Sequence, residues 1–273
     1  MKKNTGIRRG KNRLMKTLRL YWSRSKPNFG DCLSPIICEM EAGCRMVYAK
    51  KNRCDLVAVG SLLDRFHEHV FHRKIHVWGT GFIEEQASRK ARFHYHALRG
   101  KSSASLLKGC DVQIFGDPGL LADRIWPELK VRPKKYRVGV IPHYEDRSLP
   151  RLKEFVNAIP GAKVIDVFDE VRGVLRMIAE CEFIYSSSLH GLIVADAFGV
   201  PNAWVKLSDR VRGDDFKFID YYSAFGWERE QVNPVDLLSG VESKYIESLM
   251  QRYSRTGIEM LKDNLSAAFP FRP

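Results

Sequence analysis

CEFIYSSSLHGLIVADAFGVPNAWVKL, Cys181 to Leu207, decides the architecture. Its opening, CEFIYSS, is short, apolar and rich in aromatic and β-branched residues, the composition of a buried strand. LHGLIVADAF predicts a helix, which Gly199 and Pro201 stop. NAWVKL then reads as the next strand, so the whole stretch is a strand, helix, strand unit. His190 falls in the first helical turn, where free backbone N–H groups and the helix dipole favour an anion. A plainer reading is equally open at this point: Ser186 to Ser188 merely cap the helix, and His190 is a surface side chain.

The same alternation extends in both directions. Upstream of the unit, RVGVIPH, LPRLKEFVNAI, AKVIDVF and DEVRGVLRMIAEC read as strand, helix, strand, helix. Nearer the N-terminus, LRLYWS is a first strand, followed by a helix near Asp31 to Glu41. CDLVAV is a second strand, SLLDRFHEHV its helix and IHVWG a third strand. FHYHALRG, KSSASLLKG and QIFGDPGLLAD repeat strand, helix, strand. Two prolines and a cluster of bases interrupt the pattern between Trp126 and Tyr136. The expected fold is therefore α/β, with two Rossmann-like domains and a cleft between them. The expected boundaries are a basic tail at 1–17, a first domain at 18–126, a linker at 127–136 and a second domain at 137–273. This last domain ends in helix, notably Val241 to Lys262.

Of the net charge of +13 over 273 residues, eight positive charges lie in the first twenty, which hold no Asp or Glu. The remaining excess of five argues against a nucleic-acid-binding core, while the tail suits contact with anionic lipid headgroups. Met15 offers an alternative start that would remove most of that tail. No run of about 18 apolar residues predicts a transmembrane helix, and no apolar segment behind the basic N-terminus predicts a signal peptide. The six cysteines form no CxxC pair, so reduced thiols in a cytoplasmic protein are expected.

Ligands of such sheets bind where loops leave the strands. Five of these loops are polar or glycine-rich: PNFGD (27–31), GTGF (79–82), LRGKSSA (98–104), IPHYED (141–146) and SSSLHG (186–191). Neither GxGxxG nor GxxxxGK[ST] occurs, which speaks against dinucleotide and P-loop nucleotide sites. Arg99, with Lys101 and three serines behind it, suits a phosphate or carboxylate, or is simply a solvated arginine. His67, His69, His72 and His76 invite a metal, but Arg73 and Lys74 among them repel one, and a solvated helix end is the better reading. His94 and His96 alternate on a strand without a nearby carboxylate. No metal site is expected.

Taken in order, NFGD, VGSLL, WGTGF, LRGKSSASLL, FGDPGLLAD, IPHYED and SSSLHGLIVADAFGVP resemble the polysaccharide pyruvyl transferase family, most closely its succinoglycan-type branch. The resemblance runs from about Leu18 to Val205. It implies two Rossmann-like domains in a GT-B-like arrangement with the active site in the interdomain cleft. The implied activity is transfer of the pyruvyl group of phosphoenolpyruvate to a sugar of a bacterial surface-polysaccharide precursor, giving a cyclic ketal and phosphate. Phosphoenolpyruvate is then a co-substrate, and no cofactor is implied. The implied acceptor is a glycan carried as a lipid-linked oligosaccharide, met at the inner face of the plasma membrane in exopolysaccharide or capsule synthesis.

Carried onto this chain, the resemblance makes Arg99, Leu189 and His190 donor-binding, with Lys101 and Ser188 beside them. Many relatives place an arginine where Ser188 stands, and Lys101, Lys206 or Arg210 would have to compensate. His190 is the expected general acid, protonating the donor's methylene carbon. Bound phosphate and carboxylate would raise the pKa of a histidine that the helix terminus otherwise holds neutral. Asn28, Asp31, Gly81, Asp117, His143 and Glu145 are cleft or acceptor candidates, and Asp31, Asp117 and Glu145 the candidate bases. A nucleotide-sugar glycosyltransferase on the same scaffold and a non-catalytic member of an assembly complex are the competing readings.

Overall fold

The computed structural model describes residues 17–66, 74–213 and 215–272. The basic tail before Thr17 and His67, His69 and His72 lie outside the described residues.

The first sheet is built from β1 (Thr17–Tyr21), β2 (Arg45–Tyr48), β3 (Leu56–Val57), β4 (His76–Trp78) and a strand at His94–Ala97. A two-residue strand, β5 (Arg89–Lys90), precedes that last strand, which is therefore β6. Helix α1 (Phe29–Ala42) connects β1 to β2, and α2 (Lys101–Ser105) is followed by β7 (Leu107–Lys108), which pairs with β5. The main strands lie in the order β2-β1-β3-β4-β6, all parallel. Chain direction reverses its spread between β1 and β3, the switch point at which flavodoxin-like sheets open a crevice.

Two short helices, α3 (Ala122–Ile125) and α4 (Pro127–Lys130), lead to the second sheet. Its elements are β8 (Tyr136–Ile141), α5 (Pro150–Ala158), β9 (Lys163–Val164), α6 (Val171–Ala179), β10 (Cys181–Ser186), α7 (Leu189–Ala197) and β11 (Asn202–Trp204). The order is β11-β10-β8-β9, again all parallel, with its switch point between β8 and β10. Then come α8 (Phe216–Ser223), α9 (Ser243–Arg252) and α10 (Ile258–Ala267). Mixed α/β structure with parallel, Rossmann-like sheets is thus what the alternating sequence builds.

Side chains of each strand alternate between two layers. Val138 and Val140 of β8 and Phe183 and Tyr185 of β10 join an outer cluster with Phe155 and Leu207. Ile141 and Ile184 face a large central cluster, which also holds Leu20, Leu33, Trp78, Leu192 and Trp204. Tyr21, Val77, Phe82 and Leu98 form a third cluster on the other side of the first sheet. The C-terminal segment returns to that sheet. Trp78 Nε1 donates to the Leu265 carbonyl at 2.8 Å, and the Phe269 ring stands edge-on to Trp78.

Several expected elements differ. The helix expected at SLLDRFHEHV is, in its described part, a single 3-10 turn at Leu63–Arg65. The strand expected at QIF is one bridge between Leu98 and Phe115, followed by a 3-10 turn at Pro118–Leu121. The helix expected across Val241 to Lys262 is two helices parted by Gly257 at φ 81°, a conformation natural to glycine. Strand β2 had no counterpart in the reading of the sequence. All six cysteines are free thiols, and no described helix is long and apolar enough to cross a membrane.

Candidate functional site

Both switch points open on the same cleft, of about 130 Å³. The first sheet supplies Ser23, Lys26, Asn28 and Asp31 after β1, and Ser61, Leu62 and Arg65 after β3. The second supplies His143 and Tyr144 after β8, and Ser188, Leu189 and His190 after β10; Lys217 enters from α8. Ligand binding outside the carboxyl ends of strands at a switch point is the general habit of open parallel sheets.

His190 stands in the first turn of α7 and packs on the glycine of NFGD. A Cβ built on Gly30 would lie 2.1 Å from His190 Nδ1, and one on Gly60 would lie 3.4 Å from its Cε1 and Nε2. Phe29 meets the imidazole edge-on at 6.5 Å. The ring is half-buried, and its Nε2 is shielded from water without a hydrogen-bond partner. Burial, reinforced by the Arg99 and Lys217 charges, pushes its pKa down to about 4. His190 is therefore neutral when no anion is bound.

The three serines before it brace the loop. Ser186 Oγ accepts the Ser188 N–H at 3.0 Å, while Ser187 Oγ accepts the His143 N–H at 2.8 Å and donates to Asp146 at 2.7 Å. Ser188 is the N-cap of α7 but makes no side-chain cap hydrogen bond. The serines thus order the loop before α7 without a side chain capping the helix, and His190 lies half-buried at the cleft and not on the open surface.

Asp31 lies in the first turn of α1, N-capped by Asn28. Asn28 Oδ1 accepts the Asp31 N–H at 3.1 Å, and its Nδ2 donates to Asp31 Oδ2 at 2.8 Å. Burial raises the carboxyl to about 7, against the lowering effects of Arg65 and of hydrogen bonds from Asn28 and Ser23. His143, also lining the cleft, is pushed down to about 3 by burial and by the Lys217 and His190 charges.

Other expected site residues stand elsewhere. Arg99 is fully buried and does not line the cleft. Its Nε donates to Asp220 Oδ2 at 2.8 Å, and its two terminal nitrogens bond Ser61 Oγ and the Phe82 carbonyl. Gly81 makes that arrangement fit, since a Cβ there would lie 2.6 Å from Asp220 and 2.7 Å from Arg99. Arg99 thus acts on the cleft through its field and through Ser61. Lys101 lines a separate hollow with Ser105 and Trp227. Lys206 is paired with Asp209 at 3.1 Å and Asp215 at 3.4 Å, and neither it nor Arg210 lines the cleft. Asp117 is buried behind the cleft, where it accepts the Gly60 and Gly119 N–H groups at 3.0 and 2.8 Å; burial raises it to about 6. Glu145 pairs with Lys26 at 3.1 Å. His76 Nδ1 lies 2.8 Å from His96 Nε2, also outside the cleft.

Lys217 and Arg65 were not picked out from the sequence. A signal existed for Lys217: FKFIDYY in α8 is an aromatic run interrupted by a lysine and an aspartate three residues apart, a spacing that puts both on one side of a helix. Both are buried, with Lys217 5 % and Asp220 0 % exposed. Charges inside an aromatic helix are seldom idle.

Parallel α/β sheets sharing a polar, cation-rich cleft at their switch points define the class of the molecule. A family model described as polysaccharide pyruvyl transferase matches residues 2–209. The chain belongs to the polysaccharide pyruvyl transferase family. It is 28 % identical over 210 residues to the succinoglycan biosynthesis protein ExoV of Rhizobium meliloti (strain 1021), covering 76 % of this chain and 64 % of that protein. It is 36 % identical over 164 residues to the uncharacterized protein L143 of Acanthamoeba polyphaga mimivirus, covering 57 % of this chain and 56 % of that one. The chain thus spans less than two thirds of the length of either relative.

Proposed function

We propose that the chain transfers the pyruvyl group of phosphoenolpyruvate to two hydroxyls of a glycan, forming a cyclic ketal and releasing phosphate. The observation that carries this reading is the cleft itself, where His190 and Asp31 stand among Lys26, Arg65 and Lys217. Its volume of about 130 Å³ lies below the ~300–1,000 Å³ usual for larger organic ligands. That size suits a three-carbon phosphorylated acid better than a nucleotide sugar.

In this scheme the cations draw in the trianionic donor, whose charge lifts the His190 pKa from about 4 toward neutrality. Protonated His190 gives its proton to the methylene carbon, and the adjacent carbon becomes cationic. One sugar hydroxyl adds there, losing its proton to Asp31, the candidate base that lines the cleft. The C–O bond to phosphate then breaks, phosphate leaves with the bonding pair, and the second hydroxyl adds and loses its proton. Of the two hydroxyl protons, one replaces the proton that His190 gave to carbon and the other leaves on phosphate as hydrogen phosphate, whose departure the cations stabilise.

The reading includes two Rossmann-like domains, 18–126 and 137–273, joined through 127–136 in a GT-B-like arrangement with this cleft between them. Support comes from the two separate parallel sheets and from the lining that each contributes. A lipid-linked acceptor at the cytoplasmic face of a membrane, with the basic N-terminus against anionic headgroups, completes it. ExoV, named for succinoglycan biosynthesis, supports a role in exopolysaccharide assembly. Thermal shift tests the donor: phosphoenolpyruvate should stabilise the protein and a nucleotide-sugar panel should not, and the reverse would favour a glycosyltransferase.

A further inference from the structure

We infer that Lys217 is the side chain that anchors the anionic group of the donor in the cleft, an inference that rests on the function proposed above. Its amine is buried at the cleft wall. Among the described residues no carboxylate lies within ion-pair distance of it. Its one hydrogen bond there goes to the Arg212 carbonyl at 3.4 Å, and its ammonium sits 5.3 Å from the Phe218 ring centre. An ammonium carries three donors, so most of its capacity is unused in a place where an unpaired charge costs free energy. A bound anion would supply the missing partner.

The other cations are less free. Arg99 is committed to Asp220, Ser61 and the Phe82 carbonyl. Lys26 is 57 % exposed and held by Glu145. Arg65 bonds Tyr21 Oη at 3.3 Å and offsets the charge of Asp31. Ser188, which also lines the cleft, brings no charge. Lys217 is the cation whose field reaches both cleft histidines, His143 and His190.

The charges acting on Lys217 are Arg99 from the end of β6 and Asp146 from the loop after β8, while His143 from that same loop and His190 from α7 face it and feel its charge. Burial and the Arg99 charge lower its pKa to about 8, with Asp146 opposing. Anion affinity should therefore fall as pH rises through that value.

Titration calorimetry and thermal shift with phosphoenolpyruvate and with inorganic phosphate, on wild type, Lys217→Met and Lys217→Arg, test this. Without ligand, Lys217→Met should melt above wild type, because an unpaired buried charge has gone. Its affinity for phosphoenolpyruvate should drop about ten-fold or more, the worth of a charge-assisted hydrogen bond, and KM should rise more than kcat falls. Lys217→Arg should recover part of the affinity. Raising pH from about 7 to about 9 should weaken donor binding more in wild type than in Lys217→Met, which keeps only the contributions of Asp31 and His190. Lys217→Met binding the donor as tightly as wild type would overturn the assignment of Lys217 alone. Failure of wild type to bind phosphoenolpyruvate would overturn the donor reading, and this inference with it.

Discussion

Gly30 leaves open the space that His190 fills: a Cβ on the first would lie 2.1 Å from Nδ1 of the second. Gly30 is helical, where alanine would ordinarily be favoured by about 1 kcal/mol. Gly30→Ala should nevertheless destabilise the protein by about 1–3 kcal/mol, as overpacking does, and abolish most pyruvyl transfer by displacing the imidazole. In a Gly30→Ala, His190→Ala double variant, the stability cost should shrink below the sum of the singles. Chemical denaturation of the four proteins measures that coupling, and simple additivity would contradict the contact.

Asp31 titrates near neutrality because burial outweighs the effects of Arg65, Asn28 and Ser23. Asp31→Asn should lower kcat by about 10²–10⁴, the range for loss of a positioned acid or base, and remove an ionisation near 7 from the rate profile. Stability gives a second readout. A carboxyl raised above its unfolded value favours the fold while protonated, so its contribution is lost as pH climbs from 3.8 through about 7. Asp31→Asn should be more stable than wild type at alkaline pH, with the gap closing in acid.

His190 and His143 give the opposite sign. Both are lowered from 6.5, to about 4 and about 3, so the unfolded chain takes up protons first, and stability falls as pH drops below 6.5. Each group contributes a fraction of the ~1.4 kcal/mol per pH unit limit, since both are only half-buried. His143→Gln should flatten the acid limb of the stability curve; an unchanged limb would contradict its half-buried, neutral state.

Arg99 and Asp220 form a fully buried pair at 2.8 Å. Breaking it leaves an uncompensated charge, so Arg99→Met and Asp220→Asn should each cost about 3–5 kcal/mol. Lost activity should follow lost folding. A stable Arg99→Met protein with only a raised donor KM would restore the arginine to direct donor contact.

The strand and helix alternation was legible because buried parallel strands are apolar runs bounded by turns, as CEFIYSS and RVGVIPH are. Strand β2 was not: RMVY is four residues long at the sheet edge, and two of its residues are exposed. NFGD and SLHG each stood out, but local spacing carries no information on tertiary contact, so the seating of His190 on Gly30 could not be read. The same limit misplaced Arg99. An arginine behind a strand reads as exposed until a distant helix, α8, is seen to bring Asp220 to it. Lys217 was missed because a lone lysine in a helix ordinarily points to solvent.

The central claim is tested most directly by incubating the protein with phosphoenolpyruvate and a panel of lipid-linked and free oligosaccharides, then measuring released phosphate and product mass together. Wild type should release phosphate and add a ketal-linked pyruvyl group in equimolar amounts, and His190→Ala should do neither. Phosphate and ketal from His190→Ala at the wild-type rate, or no transfer by wild type to any acceptor despite tight donor binding, would contradict it.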